Sequence, residues 1–171
     1  MIIIRPETSD DFAGIYEVNK LAFGQEGEAQ LVDAIRRSDN FNPELSLVAI
    51  QDEKIVGHLL FSDIIIQTEN KDVPALALAP LAVHPEFQNQ GIGSQLIQQG
   101  LKDCQRLGHK IVVVVGHPNY YTRFGFSPAR AKGLEAPFPV PDEAFMVLEL
   151  APAALEGITG MVKYPPAFDD V

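Results

Sequence analysis

Apolar positions along this chain follow two periods, and the changes from one to the other mark out the elements. Ile2, Ile3 and Ile4 lead through Arg5 to Pro6, which predicts a short first strand over residues 2–5. Thr8-Ser9-Asp10-Asp11 then offers N-caps for a helix that carries Phe12, Ile15, Tyr16 and Val18. Gly24-Gln25-Glu26-Gly27 interrupts the pattern, Leu31, Val32 and Ile35 resume it, and the polar stretch 36–43 ends a second helix. Residues 45–50 and 55–66 are apolar and β-branched runs separated by Gln51-Asp52-Glu53-Lys54, the pattern of an antiparallel hairpin. Two more strands are predicted at 76–83 and 111–115. Between them Leu96, Ile97, Leu101 and Cys104 share one face of a helix over 93–107, which Gly108 stops. That is a β-α-β unit, whose strands run parallel. Pro137, Pro139 and Pro141 mark a loop, 145–150 reads as a late strand, and 157–171 has only weak periodicity. No repeat or second domain emerges, so a single α/β (α+β) domain is expected over 1–171, with its core in 2–150 and a C-terminal extension over 151–171.

Composition narrows the classes. With 46% hydrophobic and 21% charged residues among 171, the chain has ordinary globular usage, which excludes disordered and collagen-like classes. The one cysteine, Cys104, cannot form an internal disulfide, and no Cys/His spacing resembles a metal site, so no metal and a reducing, cytoplasmic setting are expected. The opening apolar run is too short for a signal segment, and no stretch approaches the ~18 apolar residues of a membrane span. The net charge of −10 argues against nucleic acid and tilts weakly toward cationic partners.

Val83-His84-Pro85-Glu86-Phe87-Gln88-Asn89-Gln90-Gly91-Ile92-Gly93-Ser94 is a strand that runs into a glycine-bearing turn and then a helix. Unpaired amides at such a helix start hold anions, and glycines let a ligand approach the backbone. Leu96 stands where a dinucleotide fingerprint needs a small residue, and the Lys-Ser/Thr pair of a P-loop is absent. Val83, Pro85, Gln88, Gly91 and Gly93 instead match the Val-x-Pro and Gln/Arg-x-x-Gly-x-Gly/Ala pattern, and Tyr121, Gly125 and Phe126 match Tyr-x-x-x-Gly-Phe. On these motifs the chain resembles the GCN5-related N-acetyltransferase (GNAT) superfamily. Gly116-His117-Pro118, the run to Ala129, and Tyr164-Pro165-Pro166-Ala167-Phe168 look like its bacterial YhbS-type subgroup.

The resemblance implies a mixed, mostly antiparallel sheet with a splayed parallel strand pair and helices on both faces. It also implies direct transfer of an acetyl group from acetyl-CoA, as cosubstrate, to a primary amine on a small molecule or peptide, with a homodimer left open. Carried over residue by residue, the amides of Gln88, Asn89, Gln90, Gly91, Ile92, Gly93 and Ser94 would hold the pyrophosphate. Leu81 and Val83 would meet pantetheine through their backbones, in a strand that Pro80 leaves bulged or unpaired, and Asn119 would donate to its amides or else cap a helix. Tyr121 would protonate the departing thiolate, a role open to an unshifted phenol, with Tyr120 as the competing hydroxyl. Many members carry a carboxylate on the fourth strand where this chain has Ala77-Leu78-Ala79-Pro80. His117 is therefore the first candidate base, followed by Glu26 and Glu28. Asp63 faces the acceptor side if alternation holds, His84 and His109 read as solvent-facing turn histidines, and Cys104 reads as a buried hydrophobe. The alternatives are a longer acyl group, a hydroxyl or thiol acceptor, and a non-catalytic acyl-CoA-binding regulatory module.

Overall fold

The computed structural model describes residues 1–170, the side chain of Asp170 excepted. Its strands are β1 (Ile3–Pro6), β2 (Ser46–Gln51), β3 (Lys54–Gln67), β4 (Asp72–Val83), β5 (Ile111–Val115), β6 (Ser127–Pro128), β7 (Leu134–Glu135), β8 (Phe145–Glu149) and β9 (Gly160–Lys163). The helices are α1 (Phe12–Phe23), α2 (Gly27–Arg36), α3 (Ile92–Arg106) and α4 (Pro118–Tyr121). The nine strands belong to one mixed, mostly antiparallel sheet. The chain divides into two compact units, one of 1–62, 79–103 and the residues from Pro166, the other of 63–78 and 104–165.

In the first unit β1 pairs with β2 and β2 with β3, both antiparallel. The two residues between β2 and β3, Asp52 and Glu53, have φ of 52° and 66°, the left-handed geometry that lets a two-residue turn follow the strand twist. Alternation along β3 sends His58 and Leu60 to one face and Gly57, Leu59 and Phe61 to the other. On the first face Ile15 of α1 and Leu31, Val32 and Ile35 of α2 pack against Val48 and Leu60. The opposite face takes α3, where a Cβ on Gly57 would lie 3.0 Å from Leu96 and one on Gly100 would lie 2.5 Å from Phe61. Helices thus cover both faces, and glycines set the close approach of α3.

In the second unit β4 and β5 run parallel, with Leu76 opposite Val112 and Ala77 opposite Val113, a register that stops short of Pro80. β8 pairs antiparallel with β5 and with β6. The sequence pattern implied one parallel pair, and the structure adds a second, in which Leu134 and Glu135 of β7 lie beside Gly160 and Met161 of β9. β9 also closes on β3 through Ile65–Ile66–Gln67. The tail with weak periodicity therefore contains a strand, made by sheet pairing and not by local alternation. β4 starts at Asp72, earlier than expected, because charged Asp72 and exposed Pro74 isolate Val73 from the apolar run that follows. Cys104 is fully buried, as its helical face implied.

Candidate functional site

In the first unit β4 ends at Val83 and the chain turns over a 3₁₀ segment, Pro85–Phe87. His84 anchors this turn. Its amide donates to the Val56 carbonyl at 2.8 Å, and its Nδ1 accepts from the Glu86 amide at 3.1 Å. The ring meets Phe87 edge-on at 5.5 Å. His84 is only 9% exposed, which corrects the expectation of a solvent-facing ring: it caps the turn. Gln88 reaches back, Nε2 donating to the Val83 carbonyl at 3.1 Å.

Asn89 and Gly91 then take φ of 63° and 83°. A Cβ on Gly91 would meet nothing within 4 Å, so this glycine answers the backbone angle and leaves the space over the turn open. Gln88, Asn89, Gln90 and Gly91 are exposed, whereas Ile92 and Gly93 are buried and Ser94 is half-buried. The Gly91 carbonyl accepts from the Gln95 amide at 3.0 Å, so α3 starts here, one residue before the expected Gly93. The amides of its first turn have no acceptor inside the helix, and with the helix dipole they favour an anion. Leu81 and Val83 are half-buried on either side of buried Ala82, and the Val83 carbonyl is already used by Gln88.

In the second unit β5 is buried up to Val114, after which Gly116 donates its amide to the Ala144 carbonyl at 3.0 Å. His117 is exposed and stands at the N-cap of α4, so the capping position belongs to it and not to Asn119, which is exposed two residues later. Tyr121 closes α4. A Cβ on Gly116 would lie 2.5 Å from its Cε2, and the ring meets Tyr120 and Phe126 edge-on at 5.1 and 5.9 Å. Burial, helped by the neighbouring Tyr120, pushes the Tyr121 phenol up to about 12, above the ordinary value of about 10. Tyr120 has its ring under the Arg123 guanidinium at 4.7 Å. An open cavity of about 570 Å³ is lined by His117, Pro118, Asn119, Tyr120 and Arg123. Gly116 stands in the Gly116-His117-Pro118 stretch of the motif, but its part in seating Tyr121 is visible only from the contact between them, to which a glycine directly after Ile111–Val115 was the available signal.

The other candidates are locally engaged. Glu26 accepts from the Tyr16 hydroxyl at 2.9 Å, and Glu28 accepts from Gln25 at 3.0 Å. Asp63 is exposed on β3 and His109 is half-buried. Among the described residues no helix is long and apolar enough to cross a membrane.

The family described as "Acetyltransferase (GNAT) domain" matches residues 3–129, three-quarters of the chain and the whole stretch from β1 through the Tyr121 segment. The chain belongs to the GNAT acetyltransferase family. Among its GNAT relatives, the uncharacterized N-acetyltransferase YjhQ of Escherichia coli K12 is 38% identical over 156 residues, covering 90% of this chain and 86% of its own length. The uncharacterized N-acetyltransferase YhbS of the same strain is 37% identical over 169 residues, covering 98% and 99%. Escherichia coli YhbS in complex with CoA superposes with a TM-score of 0.91 at 35% identity, over 98% of this chain and 91% of that one. A GNAT acetyltransferase from Brucella melitensis in complex with acetyl-CoA does so with 0.81 at 32% identity, over 99% of each chain. The mixed sheet with its parallel β4–β5 pair is the GNAT fold, and the chain is an acyltransferase.

Proposed function

We propose that this GNAT chain transfers an acetyl group from acetyl-CoA to a primary amine of a small molecule or peptide, by direct attack in a ternary complex in the cytoplasm, with residues 1–171 acting as one N-acetyltransferase domain. The turn from Gln88 to Ser94 carries the reading, with left-handed Asn89 and Gly91 ahead of the amides that open α3. It takes the pyrophosphate. The backbones of Leu81 and Val83 take pantetheine, and Asn119 donates to its amides. That relatives of this identity are solved with CoA and acetyl-CoA supports the assignment.

Attack of the amine on the thioester gives a tetrahedral intermediate, whose collapse expels the CoA sulfur as a thiolate. Tyr121 serves that sulfur. A phenol pushed up to about 12 stays protonated throughout the working range, and handing its proton fully to a thiolate of ordinary pKa about 8.5 would be uphill. Its part is accordingly that of a half-buried hydrogen-bond donor that steadies the charge as it develops. The acceptor amine, with an ordinary pKa of about 10.4 if it is of the lysine type, must lose a proton first. His117 is the first base, exposed where an incoming substrate can reach it.

The experiment is a thermal melt with CoA, on the parent chain and on Gly91→Asn. Asn tolerates the left-handed backbone, so the variant folds while its side chain fills the open space over the turn. At 100 times Kd, CoA should stabilise the parent by about 2.7 kcal/mol, a rise of roughly 5–10 °C for a chain of this size. The folded variant should lose most of this. A parent melt unmoved by millimolar CoA would remove the assignment.

A further inference from the structure

Five polar side chains of the first unit join into one buried chain that acetyl transfer does not use. Asn19 on α1, Ser46 on β2 and His58 on β3 are 0% exposed, and Glu7, just after β1, is 8% exposed. Asn19 Nδ2 donates to the Ile15 carbonyl at 2.9 Å and lies 3.2 Å from His58 Nδ1. With one hydrogen for each, Nδ1 is an acceptor, so the ring proton sits on Nε2 and points to Ser46 Oγ at 2.9 Å. The Ser46 hydroxyl in turn donates to Glu7 Oε1. The Glu7 carboxylate is gripped by Arg36 of α2, through Nε at 3.0 Å and Nη2 at 2.9 Å. Every hydrogen-bond direction along Asn19–His58–Ser46–Glu7–Arg36 is fixed, and the chain ties α1 and α2 to the face of β2 and β3 that they cover.

A proton added to His58 breaks this order at one place. It must go on Nδ1, against the Asn19 N–H. Turning the Asn19 amide over would present Oδ1 instead, but that oxygen would take the place of Nδ2, 2.9 Å from the Ile15 carbonyl oxygen, so two acceptors would abut. The surrounding charges give no relief. The charged groups bonded into the chain are Glu7 after β1 and Arg36 on α2, with Asp33 paired to Arg36, while α1 and β2 contribute neutral Asn19 and Ser46. Glu7 is committed to Arg36 and Ser46, Asp33 is paired with Arg36 at 3.1 Å, and the Arg36 guanidinium opposes a second cation.

We propose that the Asn19–His58–Ser46–Glu7–Arg36 chain is an acid-released latch, closed while the His58 ring is neutral and opened by its protonation, which frees α1 and α2 from the β2–β3 face. Burial, with Arg36 adding to it, holds the closed ring at about 3. Once opened to water the ring returns to its ordinary value of about 6.5. Opening therefore takes up one proton between these values. The closed form has its full advantage above about pH 6.5, and the opening equilibrium grows about tenfold for each pH unit below it. α3 packs on the opposite face, through Gly57 and Gly100, and holds no member of the chain.

Native-state hydrogen exchange on the full chain, corrected for intrinsic rates, tests this. Between about pH 7.5 and about pH 4.5 the opening of residues 12–36 should rise about 100-fold, while the amides of α3 stay flat. In His58→Gln the rise in 12–36 should vanish. Equal loss of protection in α1, α2 and α3, or no pH dependence in 12–36, would overturn the latch. If His58→Gln fails to fold, the ring resonances of the parent decide: a His58 that stays neutral in the folded chain down to about pH 5 supports the latch, and one that titrates near its ordinary 6.5 overturns it.

Discussion

Gly116→Ala introduces one methyl group at the place where Tyr121 is seated. The glycine's φ lies outside the left-handed range, so alanine fits the backbone, and the amide bond to Ala144 is kept. The new Cβ, however, would lie 2.5 Å from Tyr121 Cε2 and 3.2 Å from Cδ2. Ordinary carbon contacts are about 3.5 Å, so the ring edge must swing by about 1 Å. Its neighbours Tyr120 and Phe126 limit where it can go. Overpacking of this kind costs about 1–3 kcal/mol, and losing a glycine from the unfolded chain returns about 0.4–1 kcal/mol. The net loss is about 1 kcal/mol, a fall of roughly 2–4 °C in Tm at this length. Activity should suffer far more, because displacing a catalytic group by about 1 Å lowers kcat about 100-fold. The assay is steady-state turnover with acetyl-CoA, beside a circular dichroism melt. In a Tyr121→Phe background the same substitution should add little, because the hydroxyl it misplaces is already gone. Near-parental kcat in folded Gly116→Ala, or an undiminished further loss in the Tyr121→Phe background, would refute the reasoning.

Tyr121→Phe keeps the ring packing and removes the donor, so kcat should fall about 10²–10³-fold with KM for acetyl-CoA nearly unchanged, while Tyr120→Phe is mild; steady-state kinetics of the pair checks this. At Gly91, Ala must adopt a φ of +83° and should lose about 1–2 kcal/mol by chemical denaturation, with Asn losing less. Tyr121 and Tyr164 are both pushed up to about 12 by burial, above the ordinary value of about 10 that they regain on unfolding. Between these values the unfolded chain holds fewer protons, so stability should fall as pH rises from about 10 toward about 12, and Tyr164→Phe should flatten the fall in alkaline melts.

Local patterns in the sequence reached far into this fold because its main elements are locally encoded. The hairpin of β2 and β3, the amphipathic helices and the Val83–Ser94 strand, turn and helix were all legible from spacing, turn residues and apolar faces. What spacing misses is pairing between distant residues. Glu7 and Ser46, like Asn19 and His58, are separated by 39 positions; Ser46 and His58 look like exceptions in apolar runs, and Glu7 and Asn19 look like ordinary polar positions. β9 owes its strand to Gln67 and its neighbours, and Gly160 fits there because a Cβ would run into the Gln67 carbonyl. His84 looked like a turn residue open to water, which it would be without the Val56 carbonyl and the Phe87 ring. The Tyr121 motif marked the hydroxyl, but the shift of its acidity comes from tertiary burial that no motif records.

Incubating the protein with acetyl-CoA labelled in its acetyl carbonyl, in the presence of a panel of polyamines, amino acids and lysine peptides, tests the central claim most directly. Carbon NMR follows where the label goes. The label should leave the thioester and appear in the amide of at least one amine, at a rate that Tyr121→Phe lowers about 100-fold or more. Saturable binding of acetyl-CoA with the label retained in the thioester across the whole panel would contradict the account and point to an acyl-CoA-binding module.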